Sequence, residues 1–360
     1  MMTDFFNDKG TAQRIVRKIR DISGSEKIRI MHVCGTHEQT ITKNGLRSLL
    51  PENIEVIPGP GCPVCITPAT EINKAIYLSR NGSIIATYGD MLKVPGSTSS
   101  LAEEIAKGAD IRVVYSPIEG VDIAKRNPEK NVVFLGIGFE TTAPMTGQVV
   151  AGLPPENFSV LCSHRLVPPA IDFLLKGGYD IDGFIDPGHV SIIIGISPYL
   201  DMCQKYHVPQ VISGFEPLDI LMSIFMILRQ IKNNTAAVEN EYTRAVKPAG
   251  NAIARKLMNE VFEPCSKEWR GLGVIPDASL KIRSEYAQYD AEKRFNIEML
   301  ESDVCDADCP LCASILKGLS NPVDCELFAK VCNPGNPVGA CMVSSEGTCN
   351  IAYRYGTILF

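Results

Sequence analysis

Gly59-Pro60-Gly61-Cys62-Pro63-Val64-Cys65 is the stretch around which the predicted fold of this 360-residue sequence is built. The apolar run 54–57 before it predicts a short buried strand. Thr67 and Pro68 after it predict the start of a helix, with Thr67 as the N-cap. The two cysteines therefore lie where a strand ends and a helix begins, which is where open α/β sheets place reactive groups. A thiol near a helix N-terminus gains thiolate character, so this pair is a candidate redox site.

Short apolar strands alternate with helices over most of the chain. Helices of about ten residues separate the predicted strands, which lie at 28–33, 54–57, 84–87, 110–115, 131–135, 158–162, 182–185 and 208–213. Such alternation is typical of a parallel α/β sheet. We expect two similar parallel-sheet α/β domains, residues 24–127 and 128–216, facing a cleft lined by the loops that follow the strands.

The rest of the chain predicts a third domain, residues 217–360 joined by 1–23. Apolar residues at helical spacing predict an N-terminal amphipathic helix over 10–22 and a helical stretch from 216 to about 263. Residues 264–300 lack a clean period and predict an irregular region. We expect this domain to be mostly helical and irregular and, because seven of the thirteen cysteines lie in it between 305 and 349, to carry an iron–sulfur cluster.

Composition excludes several functional classes. The net charge of −6 and the pI near 5.5 argue against a nucleic-acid-binding surface, which needs a basic stripe. Residues 1–21 lack the apolar core of a signal peptide, and no stretch predicts a membrane-spanning helix. The sequence therefore predicts a soluble cytoplasmic protein that binds neither nucleic acid nor membrane.

Cys34 and His37 form a second candidate site, directly after the predicted strand 28–33. A cysteine alone at this place is more often buried and inert. A histidine three residues on can lower the pKa of the thiol or supply a second metal ligand. The pair therefore favours a reactive or metal-binding thiol.

Two further polar side chains follow predicted strands. Glu140 lies in the turn that opens with Gly136-x-Gly138, and His189 lies in Pro187-Gly188-His189. The glycine pair lacks the third glycine of a dinucleotide fingerprint, so a nucleotide site is not expected. Glu140 and His189 are candidate groups of the cleft, with ordinary loop or core positions as the alternative.

The terminal cysteines indicate a metal site. Seven of the thirteen cysteines lie between 305 and 349, and a cytosolic chain favours metal binding over disulfides. Cys312, Cys325, Cys332 and Cys349 follow the spacing C-x12-C-x6-C-x16-C, with Cys305, Cys309 and Cys341 around them. Four thiolates hold either tetrahedral zinc or an iron–sulfur cluster. The long, unequal gaps favour the cluster and leave zinc as the alternative.

Taken together, these motifs resemble the HypD family of [NiFe]-hydrogenase maturation proteins. The resemblance runs from about residue 10 to the C-terminus and rests on six motifs in the same order: 34–38 (CGTHE), 59–65 (GPGCPVC), 138–142 (GFETT), 187–190 (PGHV), 213–217 (SGFEP) and 337–347 (PVGACMVSSEG).

The resemblance implies a scaffold with redox activity, rather than a conventional turnover enzyme, that assembles the Fe(CN)2CO group. A small HypC-type chaperone would help to hold the iron, and HypE would deliver cyanide. Cys34 would bind the iron with His37 beside it, and Cys62 and Cys65 would be the redox thiols. The positions of Glu140 and His189 at strand ends alone suggest that they move protons or bind the chaperone. A [4Fe–4S] cluster would be held by Cys312, Cys325, Cys332 and Cys349, with Cys309 or Cys341 as alternates.

Two other functions remain open. A stand-alone thiol–disulfide oxidoreductase would use Cys62 and Cys65, with structural metal at the C-terminus. It would leave Cys34 and His37 without a role, and the thioredoxin-like order is absent. An iron–sulfur electron carrier without a scaffold function is the other alternative.

Overall fold

The computed structural model describes residues 8–297 and 309–356 of the chain. Its strands, in chain order, are β1 (Ile28–His32), β2 (Ile54–Pro58), β3 (Ile84–Thr87), β4 (Ile111–Val113), β5 (Val132–Gly138), β6 (Phe158–His164), β7 (Gly183–Pro187), β8 (Gln210–Ser213), β9 (Val238–Asn240), β10 (Phe262–Trp269) and β11 (Gly273–Ile282).

The helices, in the same order, are α1 (Lys9–Ile22), α2 (Gly35–Lys43), α3 (Ala69–Arg80), α4 (Leu101–Ala106), α5 (Pro117–Arg126), α6 (Ala143–Ala151), α7 (Val167–Lys176), α8 (Gly188–Ile194), α9 (Ser197–Tyr206), α10 (Pro217–Lys232), α11 (Ala252–Val261), α12 (Ala291–Arg294), α13 (Cys312–Leu316), α14 (Ala340–Val343) and α15 (Thr348–Tyr355). Short 3-10 helices occur at Leu46–Leu49, Gly89–Met91, Ser284–Tyr289 and Pro322–Asp324. Within the described ranges, none of the helices has the length and apolar character needed to cross a membrane.

Two parallel sheets form the frame. Sheet A has the order β2-β1-β7-β8-β9 and sheet B the order β4-β3-β5-β6. The predicted α/β class with parallel sheets is therefore confirmed. Buried side chains of both sheets, such as Phe184 of sheet A and Leu135 of sheet B, belong to one apolar cluster. A cleft between two facing domains stays a prediction.

The predicted segments 24–127 and 128–216 do not separate the two sheets. The chain builds β1 and β2 in sheet A, crosses along α3 into sheet B for β3 to β6, and returns along α7 to sheet A. Each segment therefore contributes strands to both sheets. Strand–helix alternation looks the same whether a crossover returns to its own sheet or enters another, so the period alone does not assign strands to sheets.

The prediction that 264–300 is irregular is wrong for 264–282, because β10 and β11 form an antiparallel hairpin. It lies along sheet B, where the Leu166 amide donates to the Ala278 carbonyl at 2.9 Å. Charged residues and Pro264 on the partly exposed strand β10 hide its alternation. The helices α1 and α10 instead pack on sheet A, since Ile19, Ile30 and Ile224 share one apolar cluster. Segment 217–360 is thus divided between both sheets.

The helix after the C-x-x-C loop begins at Ala69, one residue later than the predicted start at Pro68. Pro68 occupies the N-cap position of α3. The Thr67 hydroxyl donates to the Pro63 carbonyl at 2.8 Å, so it stabilises the loop instead of capping the helix. A hydroxyl directly after a tight turn has a competing backbone acceptor, which is why the prediction of Thr67 as N-cap is wrong.

Candidate functional site

Cys34 lies at the point where the strand order of sheet A reverses. It follows β1 and takes the N-cap position of α2, while His189 follows the neighbouring strand β7. Because the carboxyl ends of parallel strands meet at one edge, Cys34 Sγ comes within 3.9 Å of His189 Nδ1. The sequence predicted both residues at strand ends, and the structure brings them together.

Burial controls the protonation of Cys34. The side chain is 3% exposed, and burial raises the pKa of the thiol to about 12, with the nearby Glu346 carboxylate acting in the same direction. The thiol is therefore protonated at neutral pH. A bound metal cation would reverse this balance, because a coordinating thiol loses its proton.

The C-x-x-C loop packs on the backbone of Cys34. A Cβ added to Gly61 would lie 2.1 Å from the Cys34 nitrogen, so this position has room for glycine alone. The Gly35 amide donates to the Gly61 carbonyl at 3.2 Å, and the Gly59 amide donates to His32 O at 2.8 Å. The two motifs predicted as separate candidates therefore form one site.

Cys62 and Cys65 are joined as a disulfide, with their Cα atoms 5.3 Å apart. Both residues are buried, and the Cys65 amide donates to Cys62 Sγ at 3.2 Å. A cysteine pair of this kind exchanges two electrons and two protons between its disulfide and dithiol forms. The loop thus has the chemistry of a two-electron store beside Cys34.

Phe215 orients two imidazoles. Its ring centroid lies 5.0 Å from that of His37 and 5.1 Å from that of His189. His37 Nε2 donates to the Gly214 carbonyl at 3.0 Å, so Nδ1 carries the lone pair; within the described ranges this buried atom has no hydrogen-bond partner. Burial lowers the pKa of His37 well below its usual value and that of His189 to about 4. Both rings are neutral at pH 7 and able to accept a proton or bind a metal.

Glu38 holds the start of α2 in place. Its Oε2 lies 2.8 Å from His32 Nε2 and accepts from Arg47 Nη2 at 2.6 Å. Burial alone would favour the neutral acid, but the Arg47 guanidinium and the His32 hydrogen bond hold the pKa of Glu38 well below its usual value. This carboxylate is therefore part of a buried ionic network that stabilises the first turn of α2, directly after Cys34.

Glu346 reaches the site from the C-terminal segment. A Cβ on Gly35 would lie 2.4 Å from the Glu346 carbonyl oxygen, and the Thr36 hydroxyl donates to Glu346 Oε1 at 3.4 Å. The sequence analysis predicted no role for Glu346 or for Phe215, although Glu346 lies in the motif 337–347 and Phe215 in the motif 213–217. These motifs were a sign that both residues matter, but they do not show that Glu346 lies near Cys34, because about 300 residues separate the two along the chain.

Glu140 belongs to sheet B and lies apart from this group. Its Oε1 accepts from the Val167 amide at 3.0 Å, at the start of α7. Burial raises the pKa of Glu140 to about 8. Within the described residues, its side-chain hydrogen bond goes to α7 and not to Cys34, His37 or His189. Burial therefore favours the neutral form of this carboxyl group, and its role in moving protons stays a prediction.

The terminal cysteines converge on a small apolar cavity between α13 and the loops that follow it. The cavity is lined by five of them, Cys309, Cys325, Cys332, Cys341 and Cys349. Cys312 lies beside it: a hydrogen bond with Cys309 lowers the pKa of Cys312, but Cys341 and burial outweigh this and raise it. Cys305 lies outside the described residues.

The donor set fits an iron–sulfur cluster, since soft thiols face an otherwise apolar cavity and such clusters take four thiolates. Within the described ranges, no three histidine, cysteine or acidic side chains close around one point as ligands of a single ion. Three of the four predicted ligands and both alternates line the cavity, whereas Cys312 does not. The choice of ligands stays a prediction.

Comparison with known proteins identifies the family. Residues 10–356 match the HypD family model, described as the hydrogenase formation hypA family. A Methanocaldococcus jannaschii protein described as a hydrogenase expression/formation protein is 49% identical over 98% of this chain and 99% of its own length. The hydrogenase maturation factors HypD of Cupriavidus necator and Azotobacter vinelandii are 46% and 44% identical, each over 98% of this chain and 96% of their own length. This chain belongs to the HypD family.

Proposed function

We propose that this chain acts in the maturation of [NiFe]-hydrogenase, as the scaffold on which one iron acquires its cyanide and carbon monoxide ligands. The observation that carries the proposal is the approach of Cys34 Sγ to His189 Nδ1, 3.9 Å apart, with the C-x-x-C loop packed on the Cys34 backbone. The names of the relatives, which are hydrogenase maturation factors, support the same process.

Cys34 would hold the iron together with a cysteine of a small HypC-type chaperone. Iron that carries cyanide and carbon monoxide favours soft, electron-rich donors, and a thiolate is such a donor. Coordination to iron would displace the Cys34 proton, and His189 Nδ1, 3.9 Å from Cys34 Sγ, would be the acceptor at hand. The lone pair on His37 Nδ1 makes His37 an auxiliary ligand or base.

The Cys62–Cys65 pair would supply electrons when HypE delivers cyanide. Oxidation of the dithiol forms the S–S bond and releases two electrons and two protons. A [4Fe–4S] cluster held by Cys312, Cys325, Cys332 and Cys349, with Cys309 or Cys341 as alternates, would exchange electrons one at a time. The packing of Gly61 against Cys34 keeps the redox pair close to the iron site.

Infrared spectroscopy tests the scaffold. The protein is purified anaerobically with its small partner as wild type, as Cys34→Ala and as Cys203→Ala, a buried cysteine of α9 that serves as control. We expect cyanide and carbon monoxide stretches in the wild type and in Cys203→Ala and none in Cys34→Ala. Bands of wild-type intensity in Cys34→Ala would overturn the role of Cys34. Absence of bands from all three, with partner and cluster bound, would favour an electron carrier.

A further inference from the structure

The turn between β10 and β11 is hydrogen-bonded to the residues that follow the C-x-x-C loop. Arg270 is 4% exposed, and its backbone amide donates to the Ile66 carbonyl at 2.8 Å. Its side chain donates from Nε to the Thr67 carbonyl at 2.8 Å and from Nη2 to the Pro95 carbonyl at 3.0 Å. Ile66 and Thr67 directly follow Cys65, so one residue fixes the backbone on which the redox pair is built.

The same turn touches the terminal cysteine segment on its other side. Gly271 has a φ of +73°, and a Cβ at this position would lie 3.0 Å from Ala313 Cα. Ala313 follows Cys312 in α13. Leu272 and Cys312 also share the large apolar cluster. The turn 270–272 therefore lies between the two groups of cysteines.

We propose that Arg270 is a positioning residue for the Cys62–Cys65 pair, and that the turn 270–272 couples this pair to the terminal cysteines. The inference deepens the proposed function and rests on its assignment of Cys62 and Cys65 as redox thiols. Reduction breaks the S–S bond with two electrons and two protons taken from a reductant, here a dithiol. An arginine beside a cysteine pair favours thiolate character, and Arg270 Nε bonds to the Thr67 carbonyl, two residues after Cys65.

Thiol–disulfide equilibrium measures this effect on the full chain. The protein is equilibrated anaerobically at pH 8 with mixtures of reduced and oxidised dithiothreitol, alkylated, and the Cys62–Cys65 peptide quantified by mass spectrometry. Arg270→Gln should lower the equilibrium constant for reduction about tenfold, which is about 30 mV for a two-electron couple. Arg283→Gln is the control, because Arg283 ends the same hairpin but bonds to Asn259 and Glu263. It should stay within about twofold of wild type.

A folded Arg270→Gln protein within twofold of wild type would overturn the role of Arg270. If Arg270→Gln does not fold, Arg270→Lys serves as the test of the proposal. Lysine keeps the positive charge but lacks the planar guanidinium that donates to the Thr67 and Pro95 carbonyls at the same time. Arg270→Lys should lower the constant by about threefold, and an unchanged constant would overturn the proposal.

A pair of glycine variants tests the coupling to the terminal cysteines. Gly271→Ala and Gly273→Ala carry similar backbone strain, since the φ values are +73° and +79°. The added Cβ meets Ala313 in the first variant and has no atom within 4 Å in the second. Gly271→Ala should shift the constant at least about twofold more than Gly273→Ala, and equal shifts would refute the coupling. Since these measurements need neither iron loading nor a partner, their failure is distinguishable from failure of the scaffold proposal.

Discussion

The Cys34 site and the terminal cysteine site are built in opposite ways. Cys34 is one thiol held at the end of a parallel sheet, with β1, α2 and the C-x-x-C loop fixing its backbone. The terminal segment gathers six cysteines from loops and from α13, α14 and α15, which have five, four and eight residues. Helices this short gain little stability of their own. We therefore expect the first site to be preformed by the fold and the second to depend on what its sulfurs bind.

Alanine at Gly61 tests the rigidity of the first site. The added Cβ would overlap the backbone around Cys34, so Gly61→Ala should lower the free energy of unfolding by about 3 kcal/mol or more, measured by urea denaturation. Gly335→Ala is the matched change in the terminal segment, where the nearest contact is the Asn333 side chain at 3.2 Å. It should cost less than about 1 kcal/mol. Similar losses in both variants would contradict the contrast between the two sites.

Glu140→Gln tests whether the buried carboxyl group of Glu140 is neutral in the folded protein. The folded-state pKa of Glu140 is raised to about 8 from an ordinary value of 4.5, so the folded state keeps the proton while the unfolded state loses it. Wild-type stability is then lost progressively as the pH rises from about 4.5 to 8. The variant should gain on the order of 4 kcal/mol over wild type at pH 8 and little at pH 4.5, measured by denaturation at each pH.

Exposed Glu129 supplies the control for this titration. Glu129→Gln should change the free energy of unfolding by less than about 0.5 kcal/mol, because it is a surface substitution. A difference for Glu140→Gln that does not change with pH would show that the Glu140 carboxyl is ionised in the folded protein.

Glu346→Gln should have the smallest effect, on the reactivity of Cys34. The carboxylate adds to the elevation of the Cys34 pKa, so its removal lowers that pKa and increases the thiolate fraction. Alkylation of Cys34 by iodoacetamide at pH 8 should be about two- to threefold faster, followed by mass spectrometry of the Cys34 peptide. Exposed Glu52→Gln is the control. A slower rate in Glu346→Gln would mean that Glu346 acts on Cys34 through another contact.

Local patterns predicted much of the secondary structure. The strand 84–87 has both predicted ends, and the first helix ends at residue 22 as predicted. The reason is that buried strands and amphipathic helices have a characteristic spacing of apolar residues, which the sequence shows directly. The hairpin β10–β11 was not predicted, because its half-exposed strand β10 mixes charged residues and a proline with its apolar positions. The motifs also predicted the family, which the comparisons confirmed.

The sequence by itself determined the α/β class, the strand-end positions of Cys34, Cys62, Cys65 and His189, and the family. Only the tertiary structure decided that β1 and β7 are neighbours, and that Glu346 and Arg270 reach the cysteine sites from far along the chain. The reason is physical. Hydrophobic period and turn chemistry act between residues a few positions apart, whereas the choice of neighbouring strand and of packed loop depends on which distant surfaces bury each other best.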